Sequence, residues 1–306
     1  MTLPPCQLSV VVPVYNEDMG TLSGMLCAIV REARTATGKE VELVVVDDGS
    51  DEDIAGVFRD SRDPLTRVVT LTRNFGHQAA ISAGLRAARG DAVIVMDADG
   101  QDPPELIPEM VNLWRAGYEI VSAVRRHRDE PPWRAAGRRW FYRALNAISE
   151  VPLTPDVGDF RLLDRAVVDA VNALPETHRY VRGLVKWVGF REVTIPYDRP
   201  ARTHGASKYT AAKLARLAVD GVTSFSTWPL YLVSLCGLGL SLLAGVLVGY
   251  GMVGLLRGHA PRGWSSVFVA VAGLAGVQLL ALGIVGVYVG RIYEEVKRRP
   301  AYVVRK

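Results

Sequence analysis

Two carboxylates, Asp97 and Asp99, stand one residue apart at the end of the apolar run Ala92–Met96. A strand buried on both faces reads as such a run. Ligands of open α/β sheets bind beyond the carboxyl ends of the strands, so the pair is expected in a crevice. Two hard oxygen ligands at that spacing suit one hard cation. Mg²⁺ or Mn²⁺ held by one or two carboxylates plus substrate phosphates is the usual arrangement. Alone, Asp-x-Asp reads equally well as a polar loop after a strand, so the rest of the chain has to decide.

The elements that would position these acids alternate. Leu8–Val14 reads as a strand running into Tyr15-Asn16-Glu17, and 21–35 as a helix with Leu22, Met25, Leu26, Ile29 and Val30 on one face. Val41–Val46 reads as a strand ending in Asp47, Asp48 and a Gly turn. Arg67–Leu71 is a third strand, His77–Arg89 a helix, and Ala92–Met96 the fourth strand. A helix opening at Pro103 follows, with Pro and Glu105 suited to its first turn. Further strands are expected over Tyr118–Ala123, from Gly158 and over Val193–Tyr197. This alternation predicts an α/β fold built on a mostly parallel sheet. Right-handed crossovers then line up the strand ends, placing Glu17, Asp48, Asp97 and Asp99 along one edge. No G-x-G-x-x-G follows the first strand and no G-x-x-x-x-G-K-[ST] occurs, which removes the main support for dinucleotide and P-loop readings.

The chain has 306 residues and a formal net charge of +4. That balance suits an anionic substrate or membrane surface and gives no sign of a nucleic-acid partner. Cys6, Cys27 and Cys236 form no CxxC and no even framework, which argues a reducing compartment and no zinc site. The first residues do not read as a signal peptide. From Pro229 to Leu256, and again from Trp264 to Gly290, there is no charged residue, and each stretch is long enough to span a bilayer. The connector carries Arg257 and Arg262, whereas the tail carries Arg291, Lys297, Arg298, Arg299, Arg305 and Lys306. That asymmetry puts the tail, and with it the N-terminal domain, in the cytoplasm. The expected organisation is a catalytic domain over 1–205, an amphipathic juxtamembrane region over 206–228, a two-span hairpin over 229–290 and a basic tail over 291–306.

Two cationic stretches complete the inventory. Arg125, Arg126, His127, Arg128, Arg134, Arg138 and Arg139 are interleaved with Trp133, Trp140, Phe141 and Tyr142. They read as a solvated basic loop or as a face lying on headgroups and gripping a phosphate; the adjoining spans favour the second. The Gly-bearing loop Arg199–Tyr209, with Arg202 and Lys208, suits folding over phosphates. Asp159 reads either as a general base or as a structural acid paired with an Arg.

Six blocks together resemble a known family: VVPVYNE at 11–17, VVDDGS at 45–50, LTRNFGHQAA at 71–80, MDADGQDPPE at 96–105, GDFRLLDR at 158–165 and RTHGASKY at 202–209. In this order they are similar to family-2 glycosyltransferases. The closer resemblance is to the polyprenyl-phosphate glycosyltransferases, which include bactoprenol glucosyltransferases and dolichol-phosphate mannose synthases. The resemblance implies a GT-A fold, a nucleotide-sugar donor (a UDP-sugar favoured, GDP-mannose an alternative), Mg²⁺ or Mn²⁺, and a polyprenyl phosphate acceptor in a cell inner (plasma) membrane. It implies that Pro13, Tyr15 and Glu17 line the base pocket, that Asp48 supports base or ribose, and that Asp97, Asp99 and Gln101 hold metal and diphosphate. Arg125 and Arg139, with Arg126 and Arg138 competing for those places, match acceptor-phosphate ligands, and Arg202 and Lys208 match the loop closing over the donor. A homo-oligomer, a tetramer by the resemblance, is also implied. Gly100 departs from the family pattern, where larger apolar residues are commoner. A processive polysaccharide synthase is the rival within the class, but no glutamine here opens a Gln-x-x-Arg-Trp motif. A non-catalytic scaffold or flippase subunit is the rival from another class, and retention of Asp97, Asp99 and Lys208 speaks against it.

Overall fold

The computed structural model describes residues 7–59, 65–126, 157–177, 179–198, 226–257 and 263–305. The chain divides into two compact units. One comprises residues 1–147, 151–211 and 299–306; the other comprises 148–150 and 212–298.

The first unit is a seven-stranded sheet with helices against both faces. Its strands are β1 (Leu8–Val14), β2 (Val41–Asp47), β3 (Thr66–Thr70), β4 (Ala92–Val95), β5 (Ile120–Arg125), β6 (Val157–Asp164) and β7 (Glu192–Tyr197). They lie in the order β3-β2-β1-β4-β6-β5-β7. Every residue of β1, β2 and β4 is buried, as a continuous apolar run requires when helices cover both faces. Leu8, Val10, Val12 and Val14 share one core with Leu22, Leu26 and Ile29 of α1 (Met19–Thr37) and with Ile107, Met110 and Val111 of α4 (Ile107–Arg115). On the opposite face α3 (His77–Ala87) sets Gly84 against Val11 and Val46. Between them in sequence lies α2 (Ile54–Arg59), and beyond β6 come α5 (Arg165–Ala173) and α6 (Val181–Trp187).

Local chemistry sets the boundaries. Helix α1 starts two residues before the expected Thr21 because Asp18 caps it, accepting from Thr21 N at 2.9 Å. Strand β5 begins at Ile120 rather than Tyr118, because Gly117 and Tyr118 bend back to close α4, with Tyr118 N donating to Leu113 O. The larger difference is one of direction. Strands β3, β2, β1 and β4 are mutually parallel as expected, but β6 runs antiparallel to both β4 and β5. The inversion brings the start of β6, with Asp159, to the same edge at which β1, β2 and β4 end.

The second unit is two helices, α7 (Trp228–Leu256) and α8 (Trp264–Val296). Their stretches Trp228–Leu247 and Gly273–Val296 are long and apolar enough to cross a membrane. Leucines along both helices are exposed, which lipid would accommodate and water would not. Helix α8 runs six residues beyond the expected end at Gly290, carrying Arg291, Glu294 and Glu295. The expected single tail is therefore divided: 291–296 is helix, whereas 299–305 belongs to the first unit, with Arg298 at φ 51 between them. Most of the expected amphipathic region 206–228 lies outside the described residues.

Candidate functional site

The carboxyl ends of β1, β2 and β4 and the start of β6 form one polar edge. At its left end two turns clasp each other. Asn16, after β1, adopts the left-handed conformation at φ 50, which Asn tolerates better than most residues. Its amide donates to Asp51 at 3.0 Å, its carbonyl accepts from Asp51 N, and its backbone N–H donates to Ser50 Oγ. The loop after β3 closes against the same turn. Both oxygens of Asp48 are taken by it, from Phe75 N at 2.8 Å and Gly76 N at 2.9 Å. Burial raises the Asp48 carboxyl above its usual range, and those two amides offset part of the rise. Pro13 is buried inside β1, whereas Tyr15 is exposed and Glu17 half-buried.

Gly49 makes the contact between the two turns. A Cβ there would fall 2.5–2.8 Å from the backbone of Arg73 and Asn74, and its φ is +74. Gly49→Ala should therefore cost at least about 2 kcal/mol, from the left-handed backbone and a clash with main chain that has nowhere to go. A thermal-unfolding midpoint equal to the parent's would refute this.

In the centre, the turn after β4 is wound by its own acids. Asp97 N donates to Asp102 Oδ2 at 3.0 Å and Gln101 N to Asp99 Oδ1 at 3.1 Å. Gly100, the departure noted above, sits at φ +68 in this turn, a conformation that penalises the larger residue. Asp102 is buried and accepts from Tyr197 Oη at 3.1 Å. Burial and the neighbouring charge of Asp97 push its pKa up to about 7. The positive charge of Arg125 at the end of β5 also acts on Tyr197 at the end of β7. Arg125 Nε is buried with no hydrogen-bond partner among the described residues.

On the right, Asp159 is 3 % exposed and held by a bidentate fork from Arg182 of α6, at 2.7 and 2.6 Å. His77, the first residue of α3, adds a third contact at 3.1 Å. Burial works against the charge of Asp159, but Arg182 and His77 outweigh it and keep the carboxyl far below its ordinary range. For His77 burial also opposes the charge, and bonds to Asp159 and Asp97 overcome it and raise its pKa to about 10. Of the two readings of Asp159, the structure shows the acid paired with an Arg.

Asp97 Oδ1, like Arg125 Nε, differs from the paired groups along this edge. It is buried and accepts no well-formed hydrogen bond among the described residues, although His77 Nε2 lies 3.3 Å away. A buried carboxylate oxygen with only this loose contact, two residues before Asp99, fits a divalent cation. His77, Asp97 and Asp159 also bring ligand atoms within 4.8 Å of one another. Within that group both Asp159 oxygens are already engaged by Arg182 and His77. Gln101 is buried beneath the same turn.

The structure thus brings Asp48, Asp97, Asp99, Gln101 and Asp159 to one edge, with Pro13, Tyr15, Glu17 and Arg125 around it. Arg138, Arg139, Arg202 and Lys208 lie outside the described residues. The sequence reading missed Asn16, Asp102, Tyr197, Arg182 and the contacts of His77. Asn16, His77 and Asp102 lie inside the resembling blocks, and that was their signal. Arg182 and Tyr197 lie outside every block, and only the fold brings them in.

These features define a class, an α/β domain of GT-A type with an acid-lined strand edge, followed by two apolar helices. Residues 9–171 match the model of glycosyl transferase family 2, and the chain belongs to that family. It is 41% identical over 306 residues to the uncharacterized glycosyltransferase YkcC of Bacillus subtilis, covering 98% of this chain and 94% of that protein. It is 40% identical over 304 residues to the uncharacterized glycosyltransferase sll0501 of Synechocystis, covering 97% and 94%. It is 39% identical over 305 residues to the SfII prophage-derived bactoprenol glucosyl transferase of Shigella flexneri, covering 98% of each.

Proposed function

We propose that this chain transfers one sugar, with inversion, from a nucleotide-sugar donor to a polyprenyl phosphate at the cytoplasmic face of a membrane. The observation that carries the reading is the pairing, in one chain, of an acid-lined strand edge with two helices long enough to cross a bilayer. A water-soluble donor would meet the first and a lipid-borne acceptor the second. The near full-length likeness to a protein named bactoprenol glucosyl transferase supports the same acceptor.

The chemistry asks little of the protein beyond placement. Asp97 and Asp99, with Gln101 beneath them, would hold Mg²⁺ or Mn²⁺. When bound, such an ion stabilises the charge developing on a nucleoside diphosphate leaving group. Pro13, Tyr15 and Glu17 would wall the base, over the turn that Asp48 fixes. The acceptor is a phosphate monoester, already anionic at neutral pH, so it needs orientation more than deprotonation. Asp159, locked as a carboxylate by Arg182, accordingly serves as a fixed charge and not as a proton acceptor. Arg125, with Arg138 or Arg139, would draw the acceptor phosphate in, and Arg202 and Lys208 would close over the donor. In-line attack at the anomeric carbon inverts it. We also take the chain to assemble as a homo-oligomer, with the tail side of its hairpin in the cytoplasm.

The test is incubation of the purified protein with labelled UDP-glucose, UDP-GlcNAc or GDP-mannose, undecaprenyl phosphate and Mg²⁺ or Mn²⁺. One donor should give a lipid carrying a single sugar. A ladder of longer products would support the processive rival, and no labelled lipid with any donor would end the enzyme reading.

A further inference from the structure

The segment after the second apolar helix docks onto the catalytic sheet. Strand β3 is an edge strand, and the main chain just beyond it would present unpaired groups. Residues 302–305 fill that place. Leu71 and Val304 form an antiparallel bridge, Arg305 N donates to Thr70 O at 2.7 Å, and Thr72 N donates to Val303 O at 2.9 Å. Val303 and Val304 remain 45% and 44% exposed, so apolar burial does not explain the docking. Tyr302 adds a half-buried side chain whose hydroxyl lies near the positive charges of Arg86 of α3 and Arg179. Arg179 in turn donates to Val171 O and Leu174 O at the end of α5.

What this strand touches matters more than how it is held. Thr72 leads straight into Arg73–Gly76, the loop that gives Phe75 N and Gly76 N to Asp48 and lies against Gly49. The next residue is His77, bonded to Asp159. We propose that residues 302–305 are a positioning strand for the donor side of the active site. By fixing Thr70–Thr72 they hold the 73–76 loop in the form that supports the nucleotide pocket, so the chain end that leaves the second apolar helix sets how well the donor binds. The proposal rests on the donor-site reading given above. It adds residues that touch no substrate.

Arg305→Pro removes the N–H given to Thr70, and Tyr302→Phe removes the hydroxyl that lies near Arg86, both in the full chain in detergent. Hydrogen–deuterium exchange at Thr72, Phe75 and Gly76 should accelerate in both variants, while the thermal midpoint and the exchange of β1 stay at parent values. Donor KM should rise about tenfold with kcat within about twofold, the split expected when binding and not the chemical step is perturbed. In a chain lacking residues 301–306, a peptide of sequence Arg-Pro-Ala-Tyr-Val-Val-Arg-Lys should restore slow exchange, and a scrambled peptide should not. Unchanged exchange at the three amides in Arg305→Pro, or a rise in KM without any change in exchange, would overturn the proposal. Because the exchange readout needs no turnover, faster exchange in a chain inactive with every donor would uphold the strand and reject the proposed function.

Discussion

Replacing Asp97 by alanine should abolish sugar transfer, by at least about a thousandfold, and leave the fold about as stable as before. The two halves of this expectation come from the same geometry. Asp97 is crowded by acids: Asp102 is buried beneath it, and Asp99 stands two residues on. Its own Oδ1 is buried without a well-formed hydrogen bond among the described residues. Its backbone N–H, which does hold Asp102, survives the substitution. The repulsion from Asp99 and Asp102 is relieved only in part, by His77 Nε2 at 3.3 Å, so the substitution removes an unfavourable and a favourable contact together. Removing the side chain also takes away the charge that, after burial, most raises Asp102. The measurements are single-turnover transfer, Mn²⁺ binding by electron paramagnetic resonance, and the unfolding midpoint. Chelation of the divalent ion should mimic the loss of transfer in the parent. An Asp97→Ala protein that unfolds several degrees lower, or binds Mn²⁺ as tightly as the parent, would show that the carboxylate is structural.

The sheet and its acidic edge were legible because apolar strands that end in carboxylates leave a short-range signature. In β1, β2 and β4 the apolar run stops and the acids begin within three residues, and no tertiary knowledge is needed to see it. The apolar spans were legible for a similar reason, since charge-free length is a property of sequence alone. What stayed hidden depends on contacts between residues far apart in the chain. Nothing local announces that β6 runs backwards, yet that reversal carries Asp159 to the edge. Arg182 lies 23 residues after Asp159, in a stretch that reads as an ordinary short helix. The docked tail was hidden by its charge: a run rich in Lys and Arg reads as solvated, and the hydrogen bonds that hold Tyr302–Arg305 are main-chain ones that side-chain types do not encode. Asp48 shows a subtler limit. Its position at a strand end was readable, but not that both its oxygens are already used by the loop after β3.

Arg182→Met should destabilise the protein by about 3 kcal/mol and reduce transfer about a hundredfold, because it strands a buried carboxylate. Asp159 then keeps only His77 at 3.1 Å and the weak contact from Gln78 Nε2 at 3.4 Å. The Arg182 side chain is itself 37% exposed, which places the cost at the low end for a broken buried pair. Arg182→Lys keeps the charge but not the two-pronged geometry, and should recover about half the loss. The decisive variant is the double substitution Arg182→Met with Asp159→Asn. If Asp159 is a fixed charge whose partner is Arg182, removing both charges should be less damaging to stability than Arg182→Met alone, with a coupling energy of at least about 1 kcal/mol. Asp159→Asn alone should lower transfer without abolishing it, since a residual amide still fills the place between His77 and Arg182. If Asp159 were instead the proton acceptor, Asp159→Asn would be as dead as Asp97→Ala, and Arg182→Lys would matter little. Chemical denaturation of the four proteins, read beside their turnover with the active donor, separates these cases. The first pattern follows from an acceptor that arrives already ionised, for which the enzyme must supply place and field and need not supply a base.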